Sequence, residues 1–178
     1  MNPDILKGEQ EDLRSLIKSV GEVLGFSVEE EWTPPPLMKE DRTGTYIPRI
    51  DLVWIRRSDE RFTHLVNESL RRMERRLGLQ RERMGVIPKY RDPSIETVVC
   101  FELELSDRST KYLLGDISNL SRMCDYGFLI VSNVENLAKR ACKASMAFSI
   151  LHGASNVLVL DPEELRSILV GMMDRPRK

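Results

Sequence analysis

Two short stretches of this chain carry acids where acids seldom sit. Arg49-Ile50-Asp51-Leu52-Val53-Trp54-Ile55 contains Asp51, and Val98-Val99-Cys100-Phe101-Glu102-Leu103-Glu104-Leu105 contains Glu102 and Glu104. Both stretches are otherwise apolar and rich in β-branched or aromatic residues, the composition of strands. A strand alternates its side chains between two faces, so Cys100, Glu102 and Glu104 point one way and Val99, Phe101, Leu103 and Leu105 the other. An unpaired carboxylate inside a sheet costs several kcal/mol or is forced to take up a proton. A divalent cation shared by the three acids removes that cost, and this makes Asp51, Glu102 and Glu104 a candidate metal site. Asp51 taken alone also suits pairing with a nearby Arg49 or Arg56, and the two glutamates alone suit the polar face of a half-covered sheet.

The elements that must position these acids follow from periodicity. Leu13, Leu16, Ile17, Val20, Val23 and Leu24 recur at helical spacing between Glu9 and Leu24, and Gly25 is a natural C-terminal stop. Phe26–Trp32 reads as a first strand, Pro34-Pro35-Pro36 to Tyr46 as an irregular loop, and Arg49–Ile55 as a second strand. The stretch at about 59–94 reads as a basic, partly helical insertion, and Val98–Leu105 as the third strand. Helix at Ser109–Cys124, strand at Gly127–Val131, helix at Asn136–Leu151 and strand at Asn156–Leu160 follow. Asp161 then caps a last helix, with Pro162 in its first turn. Strands alternating with helices in the second half imply parallel crossovers, whereas the first strands suit an antiparallel meander. The expected fold class is α/β, a mixed central sheet flanked by helices, built as one domain over residues 1–178.

Composition narrows the classes of function. The 178 residues carry 27 basic and 28 acidic side chains, so the molecule as a whole is not the basic object a nucleic-acid coat requires. The charge is unevenly spread: from Arg61 to Arg91 there are nine basic and three acidic residues, and the remainder is acidic. Cys100, Cys124 and Cys142 are odd in number and widely separated, with no C-x-x-C pair, which points to a reducing cytoplasm and away from zinc. The chain has no run of 18 apolar residues, and Met1–Gly8 lacks the features of a signal peptide, so a cytoplasmic protein with no membrane partner is expected.

The element order, with an acid in the second strand and an acidic pair in the third, resembles the PD-(D/E)xK nuclease superfamily, to which restriction endonucleases and Holliday-junction resolvases belong. The closer likeness is to restriction endonuclease-like proteins with Asp-x-Val-Trp followed by Phe-Glu-x-Glu and Ser or Thr. This chain has Asp51-Leu52-Val53-Trp54 and Phe101-Glu102-Leu103-Glu104-Leu105-Ser106. The resemblance implies a restriction endonuclease-like fold and hydrolysis of DNA phosphodiester bonds with Mg²⁺ or Mn²⁺ as cofactor. It implies no nucleotide cofactor. Asp51 and Glu102 become the metal ligands, and Glu104 stands where the superfamily usually has Lys. There it can orient or deprotonate the attacking water, or serve as a further ligand. Lys111, in the first turn of the next helix, becomes the candidate for the missing cation. The superfamily often draws a fourth carboxylate from the first helix. Glu22 lies about 160° from that helix's apolar centroid and Glu9 within about 25°, and both are carried as candidates. Homodimers are expected where both strands of a duplex are cut. The alternative is a nuclease-like fold without catalysis that binds nucleic acid or assembles with protein.

Arg71-Arg72 and Arg75-Arg76 recur at i, i+4, a cationic stripe able to follow a phosphate backbone, with Arg81, Arg83 and Lys89 beyond it. Tyr46 and Tyr90 are candidates for stacking on bases. His64, His152 and Cys100 stand isolated from catalytic partners in sequence and read as packing or surface residues.

Overall fold

The computed structural model describes residues 3–33, 48–57, 67–69, 71–72, 75, 94–106, 110–132, 137–153 and 156–173, with backbone alone for 3–6 and 110. Helix α1 (Pro3–Val23) leads into strands β1 (Ser27–Trp32), β2 (Ile50–Arg57) and β3 (Ile95–Glu104). Helix α2 (Thr110–Met123), strand β4 (Tyr126–Val131), helix α3 (Leu137–His152), strand β5 (Val157–Leu160) and helix α4 (Pro162–Met173) complete the order. This is the succession expected from periodicity.

The five strands form one sheet in the order β1-β2-β3-β4-β5. β1, β2 and β3 pair antiparallel, while β3, β4 and β5 pair parallel. The architecture is therefore α/β with a mixed sheet. Successive parallel crossovers of one hand that progress in one direction lay their helices on the same face, which is why α2 and α3 share a face. Val53, Ile55, Val98, Cys100 and Leu129 meet Leu113, Ile117, Leu120, Leu137 and Ala141 there. On the other face Leu52, Trp54, Val99, Phe101 and Ile130 meet Leu13, Ile17 and Val20 of α1 and Leu165 and Leu169 of α4.

Local chemistry fixes both outer helices. Gly25 takes a φ of 82°, and the N–H groups of Gly25 and Phe26 donate to Glu22 O and Gly21 O, a Schellman stop that satisfies the last carbonyls of α1. Asp161 Oδ1 accepts from Glu164 N at 2.8 Å while Glu164 Oε2 accepts from Asp161 N at 2.9 Å, a reciprocal capping box at the start of α4. Trp54 locks α1 to the sheet: its Nε1 donates to Ile17 O at 3.0 Å, and the indole lies where a Cβ on Gly21 would come within 2.5 Å of Nε1. Trp54, Phe101 and Phe128 then run across β2, β3 and β4 with ring centroids 4.7 and 5.1 Å apart.

Among the described residues no helix is long and apolar enough to cross a membrane. Pro34–Tyr46, His64, Tyr90 and most of the insertion lie outside the described residues, as do Arg76, Arg81, Arg83 and Lys89.

Candidate active site

The antiparallel ladder of β2 and β3 runs from Arg57 opposite Ile95 to Leu52 opposite Phe101. One residue further the side chain of Asp51 takes over from the backbone, because its Oδ2 accepts the Leu103 N–H at 2.8 Å. A cavity of about 200 Å³ lies at this end of the sheet. Gln10 of α1 and Arg49 beside β2 line it, together with Asp51, Glu102, Leu103, Glu104 and, from α2, Asp116 and Asn119. The three acids singled out from sequence therefore meet in one cleft, with Asp116 added as a fourth.

Their environments differ. Glu104 is 8% exposed, and its Oε1 accepts from Ser106 Oγ at 2.8 Å. Asp51 accepts from Arg14 Nη2 at 2.6 Å on Oδ1 and from Leu103 N on Oδ2. Glu102 carries the largest perturbation: burial first, then the negative charges of Asp51 and Asp116, push its carboxyl from 4.5 up to about 9. A hydrogen-bonding contact with Asp51 also favours the protonated acid. At neutral pH, with no cation present, the cleft therefore holds Glu102 with its proton on.

The donors are all carboxylate oxygens, the chemistry of a hard divalent cation rather than of zinc. Among the described residues no three His, Cys, Asp or Glu side chains are gathered into a ready cage. Mg²⁺ does not need one, since it is commonly held through one or two carboxylates with water and substrate phosphate filling the remaining positions. Asp51 and Glu102 are in direct electrostatic contact, and both the burial that chiefly raises Glu102 and the repulsion that adds to it are what a bound dication would offset, so the pair fits such an ion.

The partner of Asp51 is Arg14, not Arg49 or Arg56. Arg49 lines the cleft, and Arg56 stacks over the Phe26 ring at 4.3 Å. Neither glutamate carried from the first helix lines the cleft. Glu22 is exposed and lies two turns beyond Arg14, about 12 Å further along the axis. Glu9 shares the angular sector of the apolar stripe, between the positions of Leu16 and Val20, whereas Gln10 and Arg14, one turn apart, lie to one side of that stripe and face the cavity side. Lys111 is exposed and is not a lining residue. Counted at about 100° per residue, it points about 150° from the buried stripe of Leu113, Ile117 and Leu120. Asp116 lies only about 70° from that stripe by the same count, a signal that marks it as a cleft residue.

Away from the cleft, Cys100 is fully buried among the residues under α2, and burial, then the neighbouring Cys124, raises its thiol well above the ordinary range. That is an inert packing thiol. Arg71, Arg72 and Arg75 are exposed and helical, and all three lie within ion-pair range of Glu68, at 3.8, 3.2 and 3.6 Å. No family model, no curated protein and no solved structure matches the chain.

Proposed function

We propose that this chain is a divalent cation-dependent endonuclease that hydrolyses DNA phosphodiester bonds in the cleft between α1, α2 and the ends of β2 and β3. The observation that carries the reading is the convergence of Asp51, Glu102, Glu104 and Asp116 on one cavity that a hydrated ion would fill, where burial and the neighbouring acids push the Glu102 carboxyl up. Such an arrangement is poorly explained as structure, because it opposes folding, and well explained as a site awaiting positive charge. The Asp-x-Val-Trp and Phe-Glu-x-Glu-x-Ser motifs, and the likeness to the PD-(D/E)xK superfamily they carry, supply the reaction class.

In this reading Asp51 and Glu102 hold Mg²⁺ or Mn²⁺, which when bound polarises a phosphoryl oxygen and acidifies the attacking water. The chain's own residues do the rest. Leu103 N–H keeps Asp51 aimed into the cleft, and Glu102 would release its proton to solvent to serve as a ligand. Glu104, held by Ser106, orients the water and accepts its proton. Arg49 offsets charge developing on the phosphate, with Lys111 outside the cavity as a second cation on the approach. Arg71, Arg72 and Arg75, with Arg76, Arg81, Arg83 and Lys89, follow the backbone of the duplex. A homodimer supplies the second cut.

A second reading has its own supporting observation. Arg14 already places a positive charge 2.6 Å from Asp51, as a nuclease-like module that has given up its metal would require. Calorimetric titration of Mn²⁺ into the cation-free protein at pH 8, repeated in buffers of different ionisation enthalpy, separates the two. The nuclease reading requires binding with release of about one proton from Glu102. Absence of binding favours the module.

A further inference from the structure

The guanidinium of Arg14 reaches three carboxylates at once. Its Nη2 is 2.6 Å from Asp51 Oδ1 and 3.5 Å from Glu31 Oε1, and its Nη1 is 3.6 Å from Glu30 Oε2. The first is a tight charge-assisted hydrogen bond; the other two are at the outer limit of contact. The three acids also differ in depth, since the side chain of Asp51 is 21% exposed while those of Glu30 and Glu31 are 42% and 58% exposed.

Two features hold the outer acids ready. Lys18, one turn along α1 from Arg14, pairs with Glu30 and fixes it beside the helix. Glu31 has a φ of 49° inside an edge strand, a left-handed conformation that side chains other than glycine rarely adopt. The β1–β2 register runs unbroken on either side of it, from Glu30 opposite Leu52 to Trp32 opposite Ile50, which sets Glu31 across from Asp51. From there its side chain also meets Arg14.

A cation on Asp51 and a guanidinium 2.6 Å from the same oxygen repel each other, so one must give way. We infer that Arg14 is a displaceable counter-ion built into the cleft: it occupies Asp51 when no cation is bound and is received by Glu30 and Glu31 when a divalent cation takes that carboxylate. The inference rests on the cation-binding reading above. It makes Arg14 a positioning residue that sets the affinity threshold of the site, because part of each binding event is spent moving it.

Mn²⁺ titrations on the full chain, read by calorimetry and by the resonance of free Mn²⁺, test it without reference to cleavage. Arg14→Gln should bind Mn²⁺ about tenfold more tightly or better, since the competing charge-assisted bond is gone. E30Q/E31Q should bind several-fold more weakly than wild type, and that loss should vanish when combined with R14Q, because no guanidinium then needs receiving. If wild type binds and R14Q binds equally or more weakly, or if E30Q/E31Q has the same effect with Arg or Gln at position 14, the displacement idea is wrong while the cation site stands. If no variant binds Mn²⁺, the cation reading itself fails and takes the inference with it. Should R14Q not fold, E30Q/E31Q decides alone: weaker binding supports the hand-over, and unchanged binding overturns it.

Discussion

Replacing Glu102 by Gln probes the electrostatics of the cleft with no substrate present. The folded chain keeps the Glu102 proton up to about 9, whereas an unfolded chain releases it near 4.5. Between those values the folded state binds more protons than the unfolded state, so the contribution of this group to stability falls as pH rises. At about 1.36 kcal/mol per pH unit, the penalty reaches about 3 kcal/mol at pH 7 and levels off at about 6 kcal/mol above pH 9. Gln keeps the shape of the protonated acid, can still donate to Asp51, and has no charge to desolvate. The variant should therefore match wild type near pH 4, exceed it by about 3 kcal/mol at pH 7, and diverge further up to pH 9. For a chain of 178 residues, 3 kcal/mol corresponds to about 6–12 °C in Tm. Thermal melts of both proteins by circular dichroism, in EDTA from pH 4.5 to 9, give the two curves. A difference that stays constant across that range, or a Gln variant less stable than wild type at pH 7, would refute the reasoning.

Further expectations follow from the same geometry. Adding Mn²⁺ should raise the Tm of wild type more at pH 8 than at pH 5.5, because the ion competes with the Glu102 proton, and the gap should close in the Gln variant. Gly21→Ala gains about 1 kcal/mol of helix propensity but drives a Cβ to 2.5 Å from Trp54 Nε1. Displacing the indole from Ile17 O outweighs that gain, so denaturant melts should show a net loss of about 2 kcal/mol. Arg71, Arg72 and Arg75 changed together to Gln should leave stability within about 0.5 kcal/mol, since their contacts with Glu68 are exposed. The slope of log affinity for DNA against log salt should become shallower by up to about 3. An unchanged slope means these arginines do not meet phosphate.

The sheet and its layers were legible because the signals are local. Alternation in β3, the stop at Gly25 and the Asp161-Pro162 start each sit within a few residues of the element they define, and the structure has all three. The start of α1 was not legible: Ile5 and Leu6 are in phase with Leu13, but Gly8 and the polar run Glu9–Asp12 interrupt the stripe, and the helix begins six residues before the expected start. The cleft was legible as far as the acids on the strands, since strand alternation and neighbouring register bring Asp51, Glu102 and Glu104 together. Arg14 was not, because its bond to Asp51 spans 37 residues and no spacing rule links a helix face to a strand end. Lys111 was favoured through nearness in sequence to Glu104, whereas the helical phase of α2 turns Asp116 toward the sheet and Lys111 away from it. The distinction between the two was already present in the positions of Leu113, Ile117 and Leu120.

The most direct test of the nuclease reading is the conversion of supercoiled plasmid to nicked and linear forms by wild type, Asp51→Asn and Glu102→Gln, each in Mg²⁺, in Mn²⁺ and in EDTA. The account predicts cleavage by wild type with either cation, none in EDTA, and a loss of at least a hundredfold in both variants, each shown by its melt to be folded. Cleavage that survives in EDTA or in the two variants, or a wild type that binds DNA without cutting it under any of these conditions, would contradict it.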